Sequence, residues 1–246
     1  MKTNHFFVFV VVILCGIMLQ CASFDFYYFV LTWPESLCNL DPNKRSCCYP
    51  TKGGKPATDF IIHGLWPNFN NGSFPKYCDP KNPYDKNQVA DLIGSMEKYW
   101  PSMSCPSNDG SKFWSHEWNK HGTCSKSVLN QHNYFLTTLN LRMKVDILSA
   151  LKSAGIEPNG ESYTVKAVEN AITRAIGVTP KIKCRPDNWQ QLQLYEIYFC
   201  VNTTNHFVPC NPSLDHQANC GSDTDQNIYF HKFDSDFSRS YLLNFE

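Results

Sequence analysis

Two imidazoles, a carboxylate and an ammonium fall within six residues in the stretch His116-Glu117-Trp118-Asn119-Lys120-His121. At about 100° per residue, His116, Lys120, Glu117 and His121 come in that angular order around a helix, over an arc of about 140°. Trp114 and Trp118 share another side and read as the core-facing stripe, with Gly122 as the helix stop. Such a face can be a solvated one held by i,i+4 pairs, Glu117 to His121 among them. The density of titratable groups between two tryptophans and Cys124 points instead to chemistry. So does a second histidine signature, Ile62-His63-Gly64-Leu65-Trp66-Pro67. There His63 is expected at a strand's end, where Gly64 lets a side chain reach a cleft. Trp66 reads as core or, at a cleft edge, as a stacking surface for a base.

Zinc hydrolysis needs histidines at i and i+4 to share a helix face. His116 and His121 are five apart, and Lys120 in the i+4 place opposes a dication. No metal and no cofactor are expected. Without a metal, these groups suit phosphoryl transfer with an internal nucleophile. In RNA a 2′-hydroxyl stands beside each phosphodiester, so a neutral His takes its proton while a protonated His gives one to the departing 5′-oxygen. Lys120 and His116 suit the charge that develops on the phosphoryl oxygens. DNA, lacking that hydroxyl, is expected to be inert.

The elements that must position these groups follow from pattern. Phe24 to Leu31 is aromatic and β-rich and reads as a buried strand ended by Trp33-Pro34. The segment from Pro34 to Lys55 reads as a disulfide-stapled loop. Asp59 to Ile62 is a second strand, with Gly64 and Pro67 marking its end. Helices are predicted over Gln88 to Trp100, over Asn133 to Ser153 as one long amphipathic run, and over Ser162 to Ile176 with Ser162 as N-cap. Lys181 to Cys184 and Leu192 to Phe199 alternate as half-buried strands, and Ile228 to Phe230 as a last one. Strands at both ends with helices between predict α+β, an antiparallel sheet with helices to one side.

Length bounds this to one domain with a sizeable core: 246 residues, of which 12 are Cys. Lys2, the apolar run Phe6 to Leu19 and Cys21-Ala22-Ser23 read as a secretory signal over 1–23, too short in its apolar part for a membrane anchor. The mature domain is then 24–233, and 234–246 is a tail without an ER-retention ending. Signal removal takes Cys15 and Cys21 and leaves an even number of cysteines, a disulfide framework whose pairing the spacing alone does not give. Asn71 and Asn202 head glycosylation sequons. Basic and acidic residues are 22 each in the full chain. No Lys/Arg cluster stands out, so tight non-specific nucleic-acid binding through counterion release is not supported.

Both signatures, Ile62 to Pro67 and Phe113 to Cys124, resemble the active-site motifs of the ribonuclease T2 family, its plant secreted branch above all. The likeness runs from about Phe24 to Phe233. It implies a disulfide-stapled single α+β domain with a central antiparallel sheet flanked by helices, and a monomer acting on single-stranded RNA, secreted or vacuolar, with no membrane contact once the signal is cut. By the same resemblance His121 is the general base, His63 the general acid and His116 the phosphate holder, while Glu117 and Lys120 position and polarise the phosphoryl group. The product is a 2′,3′-cyclic phosphate that water then opens. Implied disulfides are Cys38–Cys47, Cys48–Cys105, Cys78–Cys124, Cys184–Cys220 and Cys200–Cys210. Substrate contacts fall to Trp66, Phe113, Ser102 and Ser104. Relatives carry Gln where this chain has Thr32, whose hydroxyl lacks the two-sided amide, so base preference at that site is open. Two other readings use the same fold: a stylar ribonuclease of pollen rejection, whose relatives tend to be basic, and a non-catalytic storage protein, expected to have lost a catalytic histidine.

Overall fold

The computed structural model describes residues 24–40, 47–48, 50, 58–106, 108–212, 220 and 225–233. The expected signal segment 1–23, the tail 234–246 and most of the stapled loop lie outside these residues. Strands β1 (Phe26–Thr32), β2 (Ile61–Asn68), β3 (Ser162–Thr164), β4 (Lys181–Pro186), β5 (Leu192–Val201), β6 (Phe207–Val208) and β7 (Asn227–Tyr229) form one sheet in the order β2-β1-β5-β7-β3. Both β4 and β6 also pair with β5. All pairings are antiparallel except the short parallel contact of β5 with β7. The helices are α1 (Pro34–Cys38), α2 (Ile93–Tyr99), α3 (Ser111–Lys120), α4 (Gln131–Met143), α5 (Ile147–Ser153) and α6 (Val165–Ile176). This is the α+β class that the pattern and the resemblance predict.

One sheet face carries Tyr27, Phe29 and Leu31 of β1 with Ile197, Phe199 and Val201 of β5. It packs into the main core with Trp114 and Trp118 of α3 and Phe135 and Leu139 of α4. The other face holds a smaller cluster, Phe26, Tyr28, Val30, Tyr198 and Cys200, against which Trp66 leans. Because β5 lies centrally, every residue from Gln193 to Val201 is buried, rather than the alternate ones a half-buried strand would cover.

Several elements differ from the sequence pattern, each for a local reason. β2 does not stop at Gly64 but runs on to Asn68. It is an edge strand, where a proline's missing N–H deprives no neighbour of a ladder bond. Residues 34–38 of the expected loop form α1, opened by Pro34 at its first turn. The Gln88 to Trp100 helix is a 3₁₀ turn over Lys86–Leu92 followed by α2, with a break at Val89, whose φ of −128° is not helical. The long helix is two: α4 ends at Met143, which is 65 % exposed, and Asp146 caps α5 by accepting from the Ser149 N–H at 3.0 Å. Ser162 belongs to β3, and Thr164 caps α6 instead, accepting from the Ala167 N–H. Gly177, with φ of +85°, ends α6 as the pattern predicts.

The described chain carries five disulfides, Cys38–Cys47, Cys48–Cys105, Cys78–Cys124, Cys184–Cys220 and Cys200–Cys210, the pairings the resemblance implies. Among the described residues no helix is long and apolar enough to cross a membrane.

Candidate active site

Core side chains donate to backbone carbonyls of the edge strand β2 and of Phe60 just before it. Trp100 donates its indole N–H to the His63 carbonyl at 2.9 Å, Tyr134 its hydroxyl to that of Leu65 at 2.8 Å, and Arg142 its Nε–H to that of Phe60 at 3.1 Å. His63 is the extra residue of a β-bulge: Gly64 pairs with Val30 and Ile62 with Leu31, leaving His63 without a partner on β1. A bulge re-aims a side chain. So His63 sits within the strand rather than at its tip, and the bulge, not a strand end, turns its ring toward the cleft.

α3 is fixed on its other side by its tryptophans. Trp114 donates to the Trp100 carbonyl at 2.8 Å and Trp118 to that of Asn82 at 3.0 Å. The helix ends at Lys120, and His121 is its C-cap. The Lys120 carbonyl accepts from the Tyr77 N–H at 2.9 Å, and the Cys78–Cys124 bridge ties that same loop to the turn after the helix. Gly122 is no left-handed stop: a 3₁₀ turn, Gly122–Ser125, follows, and a Cβ at 122 would run into the Trp118 ring.

His63, Trp66, Phe113, His116, Glu117, Lys120 and His121 all border one cleft of about 530 Å³. Trp66 stands between the two outer imidazoles. Its ring centroid is 4.9 Å from that of His63, edge-on, and 5.1 Å from that of His121, stacked at 24°. Trp66 also donates its indole N–H to Glu117 Oε2 at 2.8 Å. That bond crosses the place where a side chain at Gly64 would begin, since a Cβ there would collide with both Trp66 Nε1 and Glu117 Oε2. Glycine at 64 is therefore required by the approach of β2 to α3. Phe113 lies 6.0 Å from His63, centroid to centroid, and with it borders a second hollow of about 370 Å³. Thr32, Ser102 and Ser104 line that second hollow. The Ser102 and Ser104 hydroxyls bond one another at 2.7 Å, and the Thr32 hydroxyl is turned inward, donating to Glu196 Oε1 at 3.3 Å.

The imidazoles have opposite surroundings. Burial would lower the proton affinity of His63, but the hydrogen bond from its Nδ1 to Glu196 Oε1 (2.6 Å) and the charges of Glu196 and Glu117 outweigh it and raise its pKa. Burial, then Lys120, His116 and His63, depress His121 to about 3. Its Nδ1 is buried with no hydrogen-bond partner among the described residues, so nothing there favours the imidazolium. His116 is lowered by desolvation, Lys120 and His63. Glu117, 1 % exposed, is raised by burial, with His63 and the Trp66 N–H pulling the other way. At pH 6.5, the ordinary midpoint of an imidazole, the raised His63 is therefore more than half protonated opposite a neutral His121.

Residues the sequence reading did not single out also reach the site: Lys183 of β4 and Tyr198 of β5 line the cleft, and Glu196 of β5 lies behind His63. Their one signal was a lone carboxylate inside the apolar run Leu192 to Phe199, which a strand buried on both faces does not admit unpaired. Asn71 and Asn202 head turns in which the side-chain oxygen accepts from the sequon hydroxyl, at 2.7 Å from Ser73 and 2.8 Å from Thr204. No cluster of three metal-binding side chains occurs among the described residues.

Residues 24–210 match the model of the Ribonuclease T2 family. The extracellular ribonuclease LE of Solanum lycopersicum is 53% identical over 199 residues, covering 80% of this chain and 85% of that protein. The intracellular ribonuclease LX of the same plant is 48% identical over 217 residues, 87% and 89% of the two. The crystal structure of RNase NT in complex with 5′-AMP superposes with a TM-score of 0.77 at 46% sequence identity, over 86% of this chain and all of that one.

Proposed function

The chain belongs to the Ribonuclease T2 family and is an endoribonuclease of it, and from that premise we propose that His121 and His63 divide the proton transfers of RNA cleavage between them. Neutral His121 takes the proton of the ribose 2′-hydroxyl. The 2′-oxygen attacks phosphorus as the P–O5′ bond breaks, and the leaving 5′-oxygen receives its proton from His63. The products are a 2′,3′-cyclic phosphate and a free 5′-hydroxyl. Water then opens the cycle to a 3′-phosphate, His63 acting as base and His121 as acid. Lys120 and His116 hold the charge spread over the non-bridging oxygens, and Glu117, fixed by Trp66, orients the phosphoryl group.

What supports this division is the single cleft in which two imidazoles flank one indole with their proton affinities shifted in opposite directions. The partner is single-stranded RNA, taken by a monomer, with Trp66, Phe113, Thr32, Ser102 and Ser104 as its base-side contacts. Residues 1–23 act as a secretory signal, the mature enzyme is 24–233 followed by the 234–246 tail, and Asn71 and Asn202 carry glycans. Cleavage of an RNA oligonucleotide at pH 5–6 in excess EDTA tests the reaction. Undiminished activity, a cyclic-phosphate product and an uncut 2′-deoxy analogue are expected. Equal cleavage of the deoxy strand, or abolition by EDTA, would overturn it.

A further inference from the structure

Glu196 is 1 % exposed and each of its oxygens is engaged. Oε1 accepts from Thr32 Oγ1 at 3.3 Å and meets His63 Nδ1 at 2.6 Å. Oε2 accepts from the Tyr198 hydroxyl at 2.8 Å and lies 3.3 Å from Lys183 Nζ, which itself donates to the Tyr198 hydroxyl at 3.1 Å. Taking a carboxylate out of water is costly unless it is paired and hydrogen-bonded. Lys183 and Tyr198 satisfy one oxygen alone, so pairing with the lysine does not account for the other, which is given to His63.

The backbone arranges this. Thr32 faces Glu196 in the β1–β5 register and Lys183 faces it in the β4–β5 register. A bulge at His63 on β2 and a register shift after Lys183 flank the same carboxylate. Three strands thus converge on a side chain that itself does not line the cleft.

We propose that Glu196 is a positioning residue of the cleavage reaction: its carboxylate holds the His63 ring by Nδ1–H, fixes that tautomer, and presents Nε2 to the leaving 5′-oxygen. A carboxylate behind a histidine sets which ring nitrogen carries the working proton and stabilises the imidazolium. The direction of the His63 shift agrees: against the burial that opposes it, the Glu196 hydrogen bond and charge keep the ring protonated above its ordinary range. Other charged or titratable groups facing His63 are Glu117 and His116 of α3, His121 at its cap and Lys183 of β4. Glu117 favours the imidazolium and Lys183 opposes it, while the His63 charge in turn lowers the pKa of His116 and of His121. The inference rests on His63 being the acid of the proposed function.

The test compares pH–rate profiles of RNA cleavage for the wild type, Glu196→Gln, Glu196→Asp and Lys183→Met, alongside NMR titration of the His63 ring in each. Glu196→Gln is expected to move the alkaline limb of kcat down by about one pH unit or more, with KM little changed, costing about tenfold in rate above that limb. Glu196→Asp recovers part of the shift. Lys183→Met removes a cation from beside the carboxylate and moves the limb up, a sign that loss of packing would not produce, and it reads the network even where Glu196→Gln folds poorly. A His63 titration unchanged in Glu196→Gln, or a Lys183→Met limb that falls, overturns the proposal. A ring titration that moves while the kcat limb stays in place keeps the Glu196–His63 pairing and rejects His63 as the acid.

Discussion

On the sheet side of Trp66 an imidazole is hydrogen-bonded to a buried carboxylate; on the helix side, across the same indole, another is packed beside Lys120 and His116, and its Nδ1 has no hydrogen-bond partner among the described residues. The residues are chemically identical, but the His63 side chain is 32 % exposed whereas His121 is 5 % exposed. What separates them is that difference in burial and the element behind each. β5 brings Glu196 under His63, whereas α3 brings Lys120 and His116 next to His121. In the proposed mechanism acid and base are thus set by burial and by partners that come from different parts of the chain, not by the histidines alone.

The strongest way to break this contrast is to remove either ring. His63→Ala and His121→Ala are each expected to lower kcat/KM on RNA by about 10²–10⁴-fold. Because the two act in one step, the double variant should lose far less than the product of the single losses. Next in size, Lys120→Met is expected to cost about 10²–10³-fold through lost charge stabilisation of the phosphoryl oxygens. It should also narrow the contrast, since Lys120 helps hold the His121 pKa down. Without it the acid limb of the profile, where His121 gains its proton, should move to higher pH. A limb that stays in place would separate Lys120 from the base.

How far this was legible in the sequence depends on the range of the interaction. The grouping of His116, Glu117 and Lys120 on one helix and the inward tryptophans follow from 3.6-residue periodicity, while His121 joins the same cleft from just past the helix end, as its C-cap. β1 and β5 were visible as apolar runs. The extension of β2 past Pro67 was not, because a proline reads as a stop until its strand is known to be an edge. The bulge at His63 was hidden for a similar reason, since a bulge belongs to a pair of strands and periodicity sees only one. Glu196 lies 133 residues from His63, and no local pattern links them. The split of α4 from α5 turned on Asp146 as a cap inside a stripe that was otherwise continuous, and Met143 on that stripe faces solvent.

Stability offers two smaller tests. Replacing Cys78 and Cys124 by Ala frees the loop that closes the helix side while leaving the sheet side bonded. We expect a loss of about 2–5 kcal/mol in denaturant unfolding, with faster hydrogen exchange around Lys120 and His121 than around His63. The other is in the pH dependence of unfolding. His121 is depressed to about 3, so as pH falls from 6.5 the unfolded chain gains a proton that the folded one refuses, and stability declines down to about pH 3. Glu196 is depressed to about 2 against 4.5, so its contribution is present above pH 4.5 and is lost as pH falls through about 2. His63 is raised, so its contribution is full below 6.5 and is lost as pH rises through the folded value. A His121→Asn variant should therefore show a shallower acid decline between pH 6.5 and 3, by about one proton, with the alkaline side unchanged.

NMR titration of the His63 and His121 ring protons in the wild-type enzyme puts the division of labour to its most direct test. The account predicts that His63 loses its proton above pH 6.5 and that His121 remains neutral until the pH nears 3. Two rings titrating together near 6.5, or in the reverse order, would contradict it.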